Sequence, residues 1–296
     1  MLSLNTNAAA LSTQSSLSRT QSALSTSMTR LGTGYRVNSA MDDAAGLQIA
    51  TRLKAQTSGM AVAQRNTQNG ISMMQTAEGA LDEVSNILLR MKDLATESST
   101  ASTTSTDQTA MQAEYDALGK ELGNIVKNTS FGGTKLFSDG TTVNGTNGLL
   151  SNASGISFQI GASSGEVMTV DIGTSLSTLA ASLSGVSGTY GGSVTGTATG
   201  TEMTGGNSVI DSLATAIDNV GSLRATLGAA SNRLDHVFNN LQNMSTNTVA
   251  ATGRIMDVDY ATETSNMTTK QMLMQASTSM LKQANGMSSM VISLLQ

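Results

Sequence analysis

The chain has 296 residues, a net charge of −5, 3% aromatic and 12% charged residues, and no Cys, Pro or Trp. The lack of Cys excludes disulfides and thiolate metal sites, and the negative charge argues against general nucleic-acid binding. No apolar run reaches about 18 residues, so no membrane span is expected, and the N-terminus lacks the pattern of a Sec signal peptide. The absence of Pro favours long, uninterrupted helices.

A narrow apolar stripe marks the start of the chain. Ala10, Leu17, Leu24 and Leu31 recur every seven residues among Ser, Thr and Gln, which predicts an amphipathic helix. Such a helix is marginal alone in water, so we expect it to be ordered only against a partner. The glycines of Gly32-Thr33-Gly34 end the pattern.

A charged turn follows the two glycines. Asn38 or Ser39 can cap a new helix, and Asp42 and Asp43 suit the positive end of that helix. Arg36 is close to both aspartates in sequence and can pair with them, within one chain or between chains. Solvated charges on a turn are the alternative for each of these residues.

Heptads return from residue 69 and predict two further helices. The rows of the first are Met74, Leu81, Leu88 and Ala95, then Ala77, Val84 and Met91, with Met73, Ala80, Ile87 and Leu94 widening the stripe. A wide stripe indicates burial against more than one neighbour. A polar tract over 97–109 predicts a loop, and the next helix is marked by Met111, Tyr115, Leu118, Leu122 and Ile125.

Residues 140–206 are rich in Gly, Ser and Thr. Within them, two alternating runs flank a turn over 161–165 and predict a β-hairpin. The apolar positions of these runs are Ile156, Phe158 and Ile160, then Met168, Val170 and Ile172. Residues 173–206 show no clear period apart from a short helix over 176–183, and we expect a surface excursion that tolerates change.

The longest heptad pattern predicts the spine of the molecule. Its apolar positions alternate in steps of three and four: Leu213, Ala216, Val220, Leu223, Leu227, Ala230, Leu234, Val237, Leu241 and Met244. A helix of about 48 Å needs partner helices of similar length. The predicted fold is mainly α, with long heptad helices in an antiparallel bundle or coiled-coil rod, a β-hairpin and a small irregular insertion.

The chain ends on a second charged turn and a last heptad helix. The turn contains Arg254, Asp257 and Asp259. The helix carries Leu273, Met280, Met287 and Leu294 every seven residues, with Ser277, Ala284 and Val291 in a second row. Both chain ends are therefore amphipathic helices, which terminal tails rarely are.

The sequence contains no catalytic constellation. His236 is the only His, so a two-His metal site is excluded, and no nucleophile-elbow pattern accompanies it. The Gly-rich region lacks the Gly-Lys-Ser/Thr of a phosphate loop, and heptad methionines are core fillers. We therefore predict a protein that is not an enzyme and that needs no metal or cofactor.

Several ordered motifs resemble those of bacterial flagellin. They are LNTN at 4–7, RVNSAMDDAAGL at 36–47, TSFGGTKL at 129–136, DVDYATE at 257–263 and QAN at 283–285, with the final leucines 294 and 295. The resemblance extends over roughly residues 1–172 and 207–296. It implies a structural subunit that is exported through the flagellar type III pathway and polymerises into the extracellular filament used for motility.

The resemblance also implies a domain plan. Residues 1–42 and 256–296 form a terminal coiled-coil domain, and 43–172 and 207–255 form a rod domain. Residues 173–206 form a short variable surface insertion. The compact length is similar to that of lateral flagellins. Many flagellins carry Pro near Met287, where this chain has none, so a softer kink is expected there.

Three sets of site residues follow from the heptads and the resemblance. Filament assembly is assigned to Leu17, Leu24, Leu31, Leu273, Met280, Met287 and Leu294. Inter-subunit or turn charges are Arg36, Asp42, Asp43, Arg254, Asp257 and Asp259. Recognition by the host Toll-like flagellin receptor is assigned to Arg90, Leu94 and Glu114, with Leu89 standing where many recognised flagellins have Gln. Because Leu94 also falls in the widened stripe, burial of Leu94 in the core is the alternative.

The implied partners are further copies of the chain, an export chaperone at the C-terminal helix, and the filament cap and hook-junction proteins. Two terminal heptad helices without an internal partner favour a helical polymer, which forms when a heterologous contact does not close. The alternative is another type III-secreted coiled-coil protein, such as a needle-tip or translocator component. Those proteins usually carry a membrane-active segment or a single C-terminal polymerising helix, unlike this chain.

Overall fold

A computed structural model of the protein describes residues 7–138, 148–152, 154–188, 190, 201–204 and 207–294, with only the backbone described at 204 and 287–294. The fold is mainly α, as predicted. The helices are α1 (Ala8–Thr33), α2 (Ala44–Ser98), α3 (Ser105–Asn128), α4 (Gly173–Val186), α5 (Ser208–Met256) and α6 (Tyr260–Leu294). Two hairpins pair β1 (Ser130–Phe131) with β2 (Thr134–Lys135), and β3 (Ile156–Gln159) with β4 (Val167–Val170). Short 3-10 helices span Leu149–Ser151 and Glu202–Thr204.

The chain divides into two compact units. The terminal unit contains residues 1–57 and 246–296, and the central unit contains residues 58–245. Helices α2 and α5 contribute residues to both units, because α2 has 55 residues and α5 has 49. These two helices are much longer than a typical globular helix, which the absence of Pro permits.

The central unit has the large apolar core that the heptads predict. From Leu213 to Leu234, every predicted spine position of α5 is buried in this core. The α2 rows from Met74 to Ala95 face the same core, as does Tyr115 of α3. Met244, the last predicted position of the spine, is exposed. Arg224 of α5 adds an ion pair to Asp82 of α2, with a shortest N–O distance of 2.9 Å.

The predicted β-hairpin is confirmed. Strands β3 and β4 are antiparallel, with Ile156 opposite Val170 and Phe158 opposite Met168. Met168 and Val170 are buried in the central core. Gly70 of α2 permits this packing, because a Cβ there would lie 3.0 Å from the Phe158 ring.

The described part of residues 173–206 is not a surface excursion. Leu176, Leu179, Leu183 and Val186 of α4 are spaced by three, four and three residues, which places them on one helix face, and all are buried in the core. The predicted short helix is present, but its apolar face is part of the core of the central unit, and the helix is not a surface element.

A buried polar cluster connects the 3-10 helix Glu202–Thr204 to α3 by hydrogen bonds. The Gln112 side-chain amide donates to Asp116 at 2.8 Å and to Glu202 at 2.7 Å, and its carbonyl accepts from the Met203 N–H. Tyr115 donates from its hydroxyl to the Val186 carbonyl at 2.7 Å, and burial raises its pKa. Because each polar group has a partner, the cluster holds the chain after α4 against α3.

The turn between α1 and α2 differs in detail from the prediction. Helix α1 ends before Gly34, which adopts the left-handed conformation with φ 75° and donates its N–H to the Arg30 carbonyl. The predicted break at this glycine is confirmed. The cap of α2, however, is Asp43, whose Oδ1 accepts the Gly46 N–H at 2.8 Å, so Asn38 and Ser39 are not the cap.

Candidate functional site

Helices α1 and α6 pack against each other, so each terminal helix has a partner within the chain. The less exposed positions of both helices follow steps of three and four. In α1 these inward positions are Ala10, Thr13, Leu17, Thr20, Leu24, Ser27 and Leu31; in α6 they are Glu263, Met267, Lys270, Met274, Ser277, Leu281 and Ala284. The expectation of terminal helices without an internal partner is therefore wrong.

The inward positions of this helix pair are unusually polar. Lys270 donates to the Ser27 hydroxyl at 3.0 Å, and the Asn7 amide donates to the Ala284 carbonyl at 2.9 Å. Arg30 and Glu263 approach to 3.9 Å, but Arg30 Nε and Glu263 Oε1 are buried without a hydrogen-bond partner in the described structure. Each unpaired polar atom costs free energy, so the pair is held less firmly than an apolar coiled coil.

The apolar row that the sequence assigned to assembly on α6 points away from α1. The Leu273 and Met280 side chains are 51% and 64% exposed, whereas Ala284 of the second row is buried. We call Leu273 and Met280 the outward row. The side chains of Met287 and Leu294, which continue it in sequence, lie outside the described residues. The sequence thus predicted the heptad period of α6, but it did not predict which row of α6 faces α1.

The charged turns form a compact joint within the terminal unit. Within the chain, Arg36 does not pair with Asp42 or Asp43. Its backbone N–H donates to the Met256 carbonyl at 2.6 Å, and its guanidinium donates to the Ile255 carbonyl at 2.8 Å. Val258 donates its N–H to the Gly34 carbonyl at 3.0 Å, which ties the two turns together.

Asp42 and Asp259 organise one turn each. Asp42 Oδ2 accepts the N–H groups of Asn38 and Ser39, and these bonds lower the pKa of Asp42, with a smaller contribution from Arg30. Asp259 accepts from the Thr262 hydroxyl and the Ala261 N–H, which lower its pKa. Both aspartates are therefore structural parts of their turns.

The remaining turn charges are exposed. Arg254 and Asp257 lie at the C-terminal end of α5 and just after it. Neither side chain forms an ion pair with another of the residues that the structure describes.

The receptor candidates separate into an exposed pair and a core residue. Arg90 Nε and Nη2 donate to Glu114 Oε1 at 2.9 and 2.7 Å, and both side chains are about half exposed. Leu94 is only 3% exposed and belongs to the central core. The expectation that Leu94 fills a partner's pocket is therefore wrong, and the alternative, burial in the core, is what the structure contains.

Two structural features of the terminal unit were missed by the sequence analysis. One is Met41, whose side chain is 97% exposed on the turn before α2. The other is a groove in the terminal unit between α2 and the end of α5. No heptad or motif marks either of them, because Met41 belongs to no helix and the groove depends on how two distant segments meet.

Within the described residues, no group of three or more His, Asp or Glu side chains is placed to hold a metal ion. None of the described helices has the length and apolarity needed to cross a membrane.

Comparison with known proteins places the chain among flagellar proteins. Residues 4–142 match the family described as the bacterial flagellin N-terminal helical region, and residues 210–295 match the bacterial flagellin C-terminal helical region. A flagellin of Halalkalibacterium halodurans is 36% identical over 294 residues, with 99% of each chain covered. Flagellin B of Vibrio cholerae is 34% identical over an alignment with a length of 386, gaps included, again with 99% of each chain covered.

A solved structure described as a flagellar hook-associated protein from Vibrio parahaemolyticus shares the fold at a TM-score of 0.52. The identity is 18%, and the match covers 73% of this chain and 100% of that one. The fold and these relatives define a class of helical structural proteins of the flagellum. Within that class, the chain belongs to the bacterial flagellin family. It is a structural subunit that polymerises into the extracellular flagellar filament of motile bacteria.

Proposed function

We propose that the α1–α6 pair of the terminal unit is the polymerising element and that its outward row makes the contacts between subunits. The observation that carries the proposal is the exposure of Leu273 and Met280 on a helix whose other face is already covered by α1. Leu11 and Met28 of α1 are similarly exposed, at 66% and 52%. Apolar side chains arranged at helical spacing on a partnered helix favour contact with a further copy.

The experiment compares two double substitutions on α6. Leu273→Ser with Met280→Ser removes the outward row, and Gln271→Ser with Thr278→Ser changes two exposed polar positions with the same spacing. Each buried apolar side chain contributes about 1.5–3 kcal/mol, so the first variant should raise the critical concentration roughly 100-fold or more. Sedimentation and electron microscopy measure polymerisation, and circular dichroism checks the helix content.

Normal filaments from the Leu273→Ser, Met280→Ser variant at the wild-type critical concentration would reject the proposed role of the outward row. Removal of residues 273–296 provides a second test. The truncated chain keeps every residue of the central unit, so we expect a folded central unit that no longer polymerises.

Before export, the same row needs a different partner. We propose that a flagellar export chaperone covers Leu273 and Met280, as an apolar groove covers one face of an amphipathic helix. At the ends of a filament, the surface that a further copy would cover is open. The cap and hook-junction proteins are proposed to bind there.

A host-receptor role is proposed for the exposed Arg90–Glu114 pair alone. Because Arg90 uses both Nε and Nη2 toward one carboxylate oxygen, the pair presents a fixed, charged surface on α2 and α3. A Toll-like receptor with carboxylate or carbonyl groups can accept the remaining guanidinium donors. The alternative is an ordinary solvated ion pair without a partner.

A further inference from the structure

The turn that precedes α2 holds one methionine almost wholly in solvent. Met41 is 97% exposed, the highest value among the large apolar side chains that the structure describes. The turn around it is well fixed: Asp42 accepts the N–H groups of Asn38 and Ser39 and donates its own N–H to the Ser39 carbonyl. Because the turn is already fixed, its backbone loses little conformational entropy when Met41 binds.

The groove in the same unit offers a complementary cavity. It has a volume of about 430 Å³ and lies between the first turns of α2 and the last turns of α5. Its lining includes the apolar residues Leu47, Ala50, Val249 and Met256, the ring of Tyr35, and the polar residues Thr51, Lys54 and Asp257. A cavity of this size and apolarity is in the range that binds small organic groups.

We propose that Met41 of one subunit inserts into the groove of a neighbouring subunit in the filament. The inference rests on the proposed polymerising role of the terminal unit and adds to it a specific contact. Every copy carries both the methionine and the groove, and these are different surfaces. Their contact is therefore heterologous, and such a contact extends into a filament when its rotation does not close.

The charges around the two surfaces favour this occupant. Asp42 and Asp43 directly follow Met41; Arg30 lies 3.7 Å from Asp42, whereas Asp43 has no ion-pair partner among the residues that the structure describes, so Asp43 supplies the negative charge of the inserting turn. Lys54 is exposed at the groove and forms no ion pair with any other residue that the structure describes. Asp257 is the one acidic group of the groove lining, so the turn is expected to dock with Asp43 toward Lys54 and away from Asp257.

The absence of cysteine makes a crosslinking test clean. Full-length subunits with Met41→Cys are mixed with subunits carrying Thr51→Cys, polymerised, and exposed to a mild oxidant. We expect disulfide-linked dimers on a non-reducing gel from the mixed filaments. The same mixture kept monomeric should yield about tenfold fewer dimers, because assembly raises the effective concentration of the two thiols. A mixture of Met41→Cys with Ser25→Cys, an exposed position on α1, is the matched control.

Each outcome decides the proposal. Filaments that form without the Met41–Thr51 crosslink would overturn the proposed contact, while the polymerising role of the terminal unit would stand. Dimers formed by Met41→Cys subunits alone would also overturn the proposed contact, because they would indicate a symmetric contact between two copies of Met41. A second measurement uses the unmodified chain: peroxide should convert Met41 to its sulfoxide about tenfold more slowly in filaments than in monomers, and equal rates would also overturn the proposal.

Discussion

At the scale of single residues, the sequence predicts exposure better than pairing. Arg90 and Glu114 fall outside the apolar rows of their helices, which correctly predicts that both face solvent. Their bond to each other joins residues 24 positions apart, and it depends on how α2 packs against α3. Leu94 was ambiguous for the same reason. A widened apolar stripe shows that a residue such as Leu94 can be buried, but whether it is buried depends on which helix packs against that side of the stripe.

The first prediction separates the receptor role of the pair from the stability role of Leu94. We expect Arg90→Ala and Glu114→Ala to lower signalling by purified monomer in a Toll-like receptor reporter assay without changing the melting temperature, because both side chains are exposed. Leu94→Ala should instead cost about 2–5 kcal/mol of stability, because it leaves a cavity in the core.

A thermal melt of each variant is the control for that assay. Unchanged signalling in both exposed variants, or no signalling from the wild type, would reject the proposed receptor surface. A large loss of stability in Arg90→Ala would show that the pair has a structural role instead.

At the scale of the element, α4 gives the sharpest stability test. Leu179→Ala should reduce the free energy of unfolding by about 2–5 kcal/mol, because Leu179 is 1% exposed in the core of the central unit. Ser184→Ala on the exposed face of the same helix should change it by about 0.5 kcal/mol or less. Urea unfolding followed by circular dichroism measures both, and equal effects would contradict the burial of α4.

Helix α6 shows how far a heptad pattern can be used. The seven-residue period predicted the helix, but two rows of residues share that period, and one row has larger side chains than the other. The row of larger side chains, which includes Leu273 and Met280, was assigned to filament assembly, and the pattern did not predict which row faces α1. The structure buries Ala284 and half-buries Ser277 and Lys270 against α1, because small side chains and a hydrogen bond to Ser27 permit close approach. This choice depends on the partner helix, which the sequence of α6 does not contain.

The exposed row also gives a prediction for the export chaperone. Binding of the purified chaperone to the monomer, measured by calorimetry, should weaken for Leu273→Ser with Met280→Ser, because the apolar face that it covers is lost. Gln271→Ser with Thr278→Ser should bind as the wild type does. A comparable loss for that polar pair, or for Ser184→Ala in α4, would argue against a chaperone site on the outward row.

At the scale of the whole molecule, the two units differ in how much apolar surface they bury. The central unit has a large core to which α2, α3, α4 and α5 contribute, and a smaller separate cluster of Met60, Ala63 and Leu241. The terminal unit buries far fewer large apolar side chains, and Leu24, Val37, Ala50 and Ala284 are its fully buried hydrophobic residues in the described structure. The amino-acid composition predicted only part of this difference between the units. It predicted that aromatic residues are few in both units, but it did not predict where the polar positions of α1 and α6 meet.

This contrast predicts unequal protection of the two units against hydrogen exchange in the monomer. Amides of α1 and α6 should exchange about a hundredfold or more faster than those between Leu213 and Leu241, because local opening costs least where few apolar contacts are broken. Polymerisation should remove most of that difference, since neighbouring subunits would cover the outward row. Mass spectrometry of monomers and filaments measures the exchange, with the α5 amides as the internal reference. Monomers that protect α1 and α6 as strongly as α5 would show that the helix pair is stable by itself, and that its order does not depend on assembly.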